Sequence, residues 1–290
     1  MGQIIRRRWP EGRLRAFTMS YDDGRKEDFR LAEIMRKNGV KGTFNVNTGC
    51  FRPEDKPLPE DPDHRRMTRR EFLQFVEEYG DIAEIAVHTV THPNLSTLTR
   101  DRAVWEVIQD RAAIEELTGK LCRGMAYPYA LPNDTAASVP PFCGMAYSRG
   151  GRSTKDFGIP GDWMRLPPTC HHTDPALFQL KDAFFAKEET SKTDALLFYM
   201  WGHAYEFDDD GNWDLIETFL AEMGNREDVW YATNIEIYDY LKAYESLLWS
   251  VRGDLVFNPA SIPVYFKVFR SHADAGTLYR VAPGETVTVR

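Results

Sequence analysis

The sequence predicts an α/β fold, an incomplete (β/α) barrel of seven strands with a small C-terminal antiparallel β appendage. Three observations carry this. From Arg15 onward, short β-prone apolar runs alternate with stretches of helical periodicity, as βα units building a parallel sheet require. The 290 residues suit one barrel, a fold of roughly 250 residues, with something added. Past the expected helix over 234–250 the helical pattern stops and short strand-like runs follow one another. The expected division is a barrel over 1–252 and an extension over 253–290 packed on it.

In chain order, the barrel strands are expected at 14–20, 42–47, 84–88, 121–127, 144–148, 195–201 and 229–232. Residues 27–37 repeat apolar positions at three and four, which predicts a helix. A second is expected at 68–79, where Thr68 and Glu71 have capping-box spacing, and others at 101–117 and 234–250. Residues 51–66, rich in Pro, Asp and Glu and without periodicity, read as a long surface loop of the kind that shapes a cleft at barrel strand ends. The extension is expected to hold strands at 255–257, 264–269, 278–281 and 286–289, separated by Asn-Pro, Ala-Gly and Pro-Gly. So short a sheet is marginal alone and needs the barrel to cover.

Composition narrows the function. With 42% hydrophobic and 28% charged residues and seven Trp, the chain can bury a large core. A net charge of -8 and a pI near 5.5 argue against nucleic acid or an anionic membrane as partner, because both reward clustered Lys and Arg, and the one basic cluster, residues 6–8, is short. No apolar run follows those arginines and none approaches the ~20 residues of a membrane span, so the expectation is a cytoplasmic protein without a signal or membrane insertion. Cys50, Cys122, Cys143 and Cys170 are widely spaced and read as free thiols. Oligomeric state is left open.

Four strand ends carry polar groups of a matching kind. Ser20-Tyr21-Asp22-Asp23-Gly24 closes the first strand with two adjacent carboxylates, one able to ligate a metal while the other, beside that ion, stays ionised and takes a proton from water. His88 and His92 follow the strand at 84–88 at a spacing that lets both imidazoles converge on one ion; Thr89 replaces the Glu of a metalloprotease helix and Pro93 shortens any helical continuation. In Ala126-Tyr127-Pro128-Tyr129-Ala130, Pro128 fixes the backbone and can aim the Tyr129 amide at an oxyanion. His203, after Trp201-Gly202, suits proton donation near neutral pH. Strand C-terminal ends are where barrel active sites form, so the coincidence outweighs each motif alone.

Over roughly residues 15–250 these motifs resemble the polysaccharide deacetylases, the NodB-homology or carbohydrate esterase family four domain. SYDDG is similar to that family's T-F-D-D-G, HTVTH to its H-[ST]-x-x-H, AYPYA to its proline-tyrosine motif and LLFYMWGH to its late leucine-histidine motif, in the same order. The resemblance implies a distorted barrel, one divalent ion with Zn²⁺ first, and removal of an N- or O-acetyl group from a sugar. It implies Asp22 as general base, Asp23, His88 and His92 as metal ligands, Tyr129 as backbone oxyanion donor and His203 as general acid. Where the family commonly carries an arginine this chain has Ala126, with Arg123 three residues further back; Arg165, within residues 162–165, is the residue that could orient the base. The pair His171-His172 lies outside the family pattern; extended, its side chains diverge, leaving one at most to enter the cleft as a substrate contact, unless the pair is surface loop or a second metal site.

Two rivals follow from the same residues. One keeps metal-dependent hydrolysis but acts on a small amide or cyclic C–N bond, as befits a cytoplasmic chain that meets no cell-wall polymer. The other is a catalytically idle carbohydrate-binding protein, against which Asp22 and His203 speak, since binding needs neither base nor acid.

Overall fold

The computed structural model describes residues 3–58, 65–129 and 131–290. Part of the loop expected at 51–66, residues 59–64, and Ala130 of the proline-tyrosine motif lie outside the described residues. The strands are β1 (Ile4–Arg8), β2 (Arg15–Asp22), β3 (Gly42–Val46), β4 (Ala83–Val87), β5 (Gly124–Ala126), β6 (Tyr147–Arg149), β7 (Cys170–His171), β8 (Leu196–Gly202), β9 (Val229–Tyr231), β10 (Leu248–Trp249), β11 (Leu255–Phe257), β12 (Val264–Phe269), β13 (Thr277–Val281) and β14 (Thr286–Thr288).

The seven expected barrel strands form β2 to β6, β8 and β9, and the two-residue β7 joins them in an eight-stranded parallel sheet. Its order is β6-β5-β4-β3-β2-β8-β7, and β9 shares one edge of β2 with β3: β9 pairs with Arg15 to Phe17 and β3 with Ser20 to Asp22. β6 and β7 do not pair with each other. Instead Leu166 bonds to β6 through Ser148 and Gly150, and Thr169 bonds to Tyr199 of β8, so the intervening chain spans the gap in the curl. This is the distorted barrel that the sequence predicts.

Period-two alternation sends the two faces of each strand to different surroundings. On β2, Phe17, Met19 and Tyr21 join Phe44, Val46, Phe198 and Met200 in the main core under the helices. The opposite face is polar. Thr18 bonds to Asn234, Ser20 and Asp22 both accept from Asn45, and Arg149 reaches Ser20 from β6. Toward the N-terminal ends of the strands, Glu84 accepts from Thr43, Tyr147 and the Ile235 amide. The barrel interior is thus filled by a hydrogen-bonded column, with apolar Leu197 and Trp9 to one side.

The helix Glu27–Lys37 has the expected bounds, and Thr68 caps the helix Arg69–Tyr79 through a capping box with Glu71. The last expected helix stops early: Asn234–Glu245 ends at a Ser246 cap and the chain turns into β10. The extension also differs in composition. β11 to β14 form as expected but in two three-stranded antiparallel sheets, β10-β11-β14 and β1-β12-β13. The N-terminal strand β1 supplies an edge of the second sheet along all five of its residues, so the extension is closed by both ends of the described chain. Its core of Val256, Val264, Phe266, Val268 and Val281 packs with Ala243 and Leu247 of the preceding segment. No helix among the described residues is long and apolar enough to cross a membrane, and all four cysteines are free.

Candidate active site

Asp22 is the last residue of β2 and points into the barrel, almost wholly buried. Its Oδ1 accepts from Asn45 Nδ2 at 2.8 Å, and its Oδ2 accepts a short hydrogen bond from Arg149, whose side chain is fully buried at the end of β6. His88 Nε2 lies 3.8 Å and His203 Nε2 4.0 Å from the same oxygen. Burial alone would raise the carboxyl's pKa, but Arg149 and the two imidazoles outweigh it and hold Asp22 below the usual carboxylate range.

Asp23 begins the turn with φ +88°, in the left-handed region that non-glycine residues rarely occupy, and its amide donates to Asn45 O at 2.9 Å. That twist turns its carboxylate away from Asp22 and toward His92, whose Nε2 stands 3.4 Å from Asp23 Oδ1; His88 Nε2 is 3.9 Å from it. Burial opposes ionisation here too, yet Arg66, 3.3 Å away, and the histidines hold Asp23 well below the usual range.

His88 Nδ1 donates to the Ala126 carbonyl at 2.9 Å, which fixes the tautomer and leaves the Nε2 lone pair facing the carboxylates. The loop behind it is pinned by two acids on the helix Arg100–Thr118. Asp110 accepts from the His88 amide at 3.0 Å and from the Thr48 amide and hydroxyl, while Glu106 accepts from the Thr91 amide and hydroxyl. These contacts hold the left-handed Thr89 and His92, φ +68° and +57°. Burial and the neighbouring His88 lower the His92 pKa to about 4, so both imidazoles are neutral at pH 7, as metal ligation needs. Asp23 Oδ1 is buried without a hydrogen-bond partner. A hard oxygen and two neutral nitrogens converging on one point, the oxygen in ion-pair contact with Arg66 but without a hydrogen bond, fit a divalent ion.

Around this cluster stand the other expected residues. Tyr129, at φ +59°, is largely exposed and sets its ring 5.0 Å from that of His92, so the residue stands at the rim beside the cluster. His203 follows β8 directly, its Nδ1 3.3 Å from Glu206 Oε1 and its backbone amide donating to Glu206 Oε2 at 3.1 Å. Burial would lower its pKa, but Glu206 and the two aspartates raise it above the ordinary value.

Two expectations are corrected. Arg165 does not approach Asp22: its guanidinium, on a short turn over Trp163–Arg165, pairs with Asp134 and Asp162. Arg123 pairs with Asp239. Arg149 is the arginine that reaches Asp22, and the signal that could have found it is its place one residue past the strand expected at 144–148, directly before Gly150 and Gly151. His171 and His172 do not diverge either. β7 ends at His171, the chain turns, and both Nε2 atoms lie 3.3 Å from Glu206 Oε2. Glu206 itself is a further member that sequence reasoning missed.

Residues 11–148, just under half of the chain, match the polysaccharide deacetylase family model. A comparison with curated proteins gave no match. Among solved structures the chain is similar to a candidate polysaccharide deacetylase from Mycobacterium smegmatis, with a TM-score of 0.56, 16% identity and coverage of 83% of this chain and 94% of that one. A family 4 carbohydrate esterase from Streptomyces lividans in complex with acetate aligns with a TM-score of 0.48 at 15% identity over 76% and 93%. A deacetylase from Streptococcus pyogenes in complex with acetate aligns with 0.40 at 19% over 46% of this chain, which spans only 55% of that protein. Residues 11–148 are thus similar in sequence to the polysaccharide deacetylases, and the curled parallel sheet is the fold shared with the Mycobacterium smegmatis structure.

Proposed function

We propose that the protein removes acetyl groups, N- or O-linked, from a carbohydrate, with one divalent ion, Zn²⁺ first, held by Asp23, His88 and His92. The observation that carries this reading is the placement of Asp22 and His203 4.0 Å apart beside that ligand cluster, Arg149 lowering the pKa of the first and Glu206 raising that of the second. An ion bound there supplies Lewis acidity and makes water more acidic. Asp22 accepts the proton of the attacking water, since its charge is fixed and its Oδ2 faces the cluster. The Tyr129 amide, at the rim beside His92, donates to the oxygen on which charge develops. His203 gives its Nε2 proton to the departing nitrogen or oxygen, and Glu206 at Nδ1 steadies the imidazolium before transfer.

The test is acetate release from acetylated oligosaccharides, with small amides as a parallel arm, before and after chelation. We expect release from the saccharides that disappears with chelator and returns with added Zn²⁺. Release that ignores the chelator, or that occurs on small amides alone, would sink the reading. Replacing His88 and His92 together with Ala should remove about one ion per chain by elemental analysis.

A further inference from the structure

Beside the catalytic cluster lies a second group that the proposed reaction uses only in part. His171 Nε2, His172 Nε2 and His203 Nδ1 all approach the single carboxylate of Glu206, each at 3.3 Å. The donor atoms of His171, His203 and Glu206 lie within 4.8 Å of one another. Ordinary N–H···O bonds measure about 2.9–3.0 Å, so the three contacts are uniformly long for hydrogen bonds. Ligands bonded to Zn²⁺ at 2.0–2.1 Å in a tetrahedron sit about 3.3 Å from one another, the distance of each imidazole nitrogen here from a Glu206 oxygen, Oε2 for His171 and His172 and Oε1 for His203.

The nitrogens also lack proper partners. His172 is 1% exposed, and its Nε2 and His203 Nδ1 make no hydrogen bond despite their proximity to Glu206. The opposite nitrogens of the two consecutive histidines are engaged, His171 Nδ1 with Thr173 Oγ1 at 2.8 Å and His172 Nδ1 with the Tyr21 hydroxyl at 3.2 Å, which orients both rings toward the carboxylate. Tyr21 and Phe207 stack on His172 and Trp201 meets His171 edge-on, holding the rings in place. Held rings whose second nitrogens are tied down are what metal-ligating histidines require.

We infer that His171, His203 and Glu206 form a second, separate site for a divalent transition-metal ion such as Zn²⁺. His172 faces the same carboxylate oxygen as a flanking imidazole. An ion there takes the Nδ1 lone pair of His203 and the charge of Glu206, the two groups that would otherwise sustain a protonated imidazole. Filling the site therefore inhibits hydrolysis of N-acetyl bonds. The existence of the site is independent of the proposed deacetylation; only its effect on rate rests on that reading.

The experiment titrates the metal-stripped full chain with Zn²⁺, reading bound metal by dialysis and elemental analysis, and with Co²⁺, reading the visible absorption of the ligand field. The wild type should bind about two ions per chain, while His171→Ala and Glu206→Gln bind about one and H88A/H92A keeps about one. Excess Zn²⁺ should slow acetate release by the wild type, and His171→Ala should lose that inhibition. Saturation of the wild type at about one ion, with none in H88A/H92A, would overturn the second site and leave the first intact. An ion lost in His171→Ala but fully retained in H88A/H92A would uphold the second site and remove the first.

Discussion

Asp22 and Asp23 are neighbours in sequence but are assigned opposite work, and the left-handed backbone at Asp23 is what separates them. Asp22→Asn should keep the side chain's size and the bound metal while losing roughly 10²- to 10⁴-fold in turnover, because an amide accepts no proton. Asp23→Asn should instead weaken metal binding; reversed phenotypes, read by elemental analysis and acetate release, would exchange the two roles. Arg149 offers a second handle. With Arg149→Met, burial is opposed only by His88 and His203 and the Asp22 pKa rises, so the acid limb of the kcat/KM profile moves to higher pH with a loss of roughly 10²-fold. An unmoved limb would remove Arg149 from the mechanism. The local motifs made six of the gathered residues, Asp22, Asp23, His88, His92, Tyr129 and His203, legible in the sequence, because each sits at the end of a recognisable apolar strand. Arg149 and Glu206 were not legible, because what defines them is a partner: Arg149 reaches Asp22 across 127 positions, and Glu206 is one acid among several in an exposed-looking Glu-Phe-Asp-Asp run.

Among the elements, the helix Arg100–Thr118 does more than cover the sheet, since Glu106 and Asp110 project from it into the backbone of the histidine loop. Asp110→Ala leaves both Thr48 donors without their acceptor and the His88 amide with the Val46 carbonyl alone, so metal affinity should fall roughly 10- to 100-fold although no ligand is touched. Competition against a chelator measures this, and unchanged affinity would show that the loop holds itself. The helix was legible from its periodicity, but its inward acids were not, because a charge on an amphipathic helix ordinarily reads as solvent-facing. Length explains other misses. β7 has two residues and no period to detect, and it forms because Cys170 and His171 pair with Met200 and Trp201 of β8. The helices Leu177–Ala186 and Trp213–Met223, neither of which was expected, both lack a capping side chain, although the second buries Trp213, Ile216, Phe219, Leu220 and Met223 in a helical stripe.

For the molecule as a whole, the polar column in the barrel makes stability depend on pH. Glu84, half-buried beside a cavity of about 280 Å³ at the end of the barrel away from the active site, has its pKa raised by burial to about 7. A carboxyl whose folded pKa lies above its unfolded one contributes fully below the unfolded value, near 4.5, and loses that contribution as pH rises through about 7. The loss is at most about 3 kcal/mol, and less because water reaches the cavity. Glu84→Gln should therefore gain in Tm relative to the wild type between pH 5 and 8; a pH-independent difference would show that Glu84 stays ionised in the folded state. The pairing of β1 with β12 matters on another scale, that of time. Ile4 pairs with Phe269, so at roughly 5–20 residues per second a ribosome needs about 15 to 50 s to deliver the partner of a strand it has already made. Through that interval the strand's backbone edge is open to any passing β-strand, and three of its five residues, Arg6, Arg7 and Arg8, carry like charges that repel such pairing. Once the barrel closes, those guanidinium groups settle on the Ser191 carbonyl, Asp194 and Glu189, so the charges that guard the nascent chain end as clamps on the finished one.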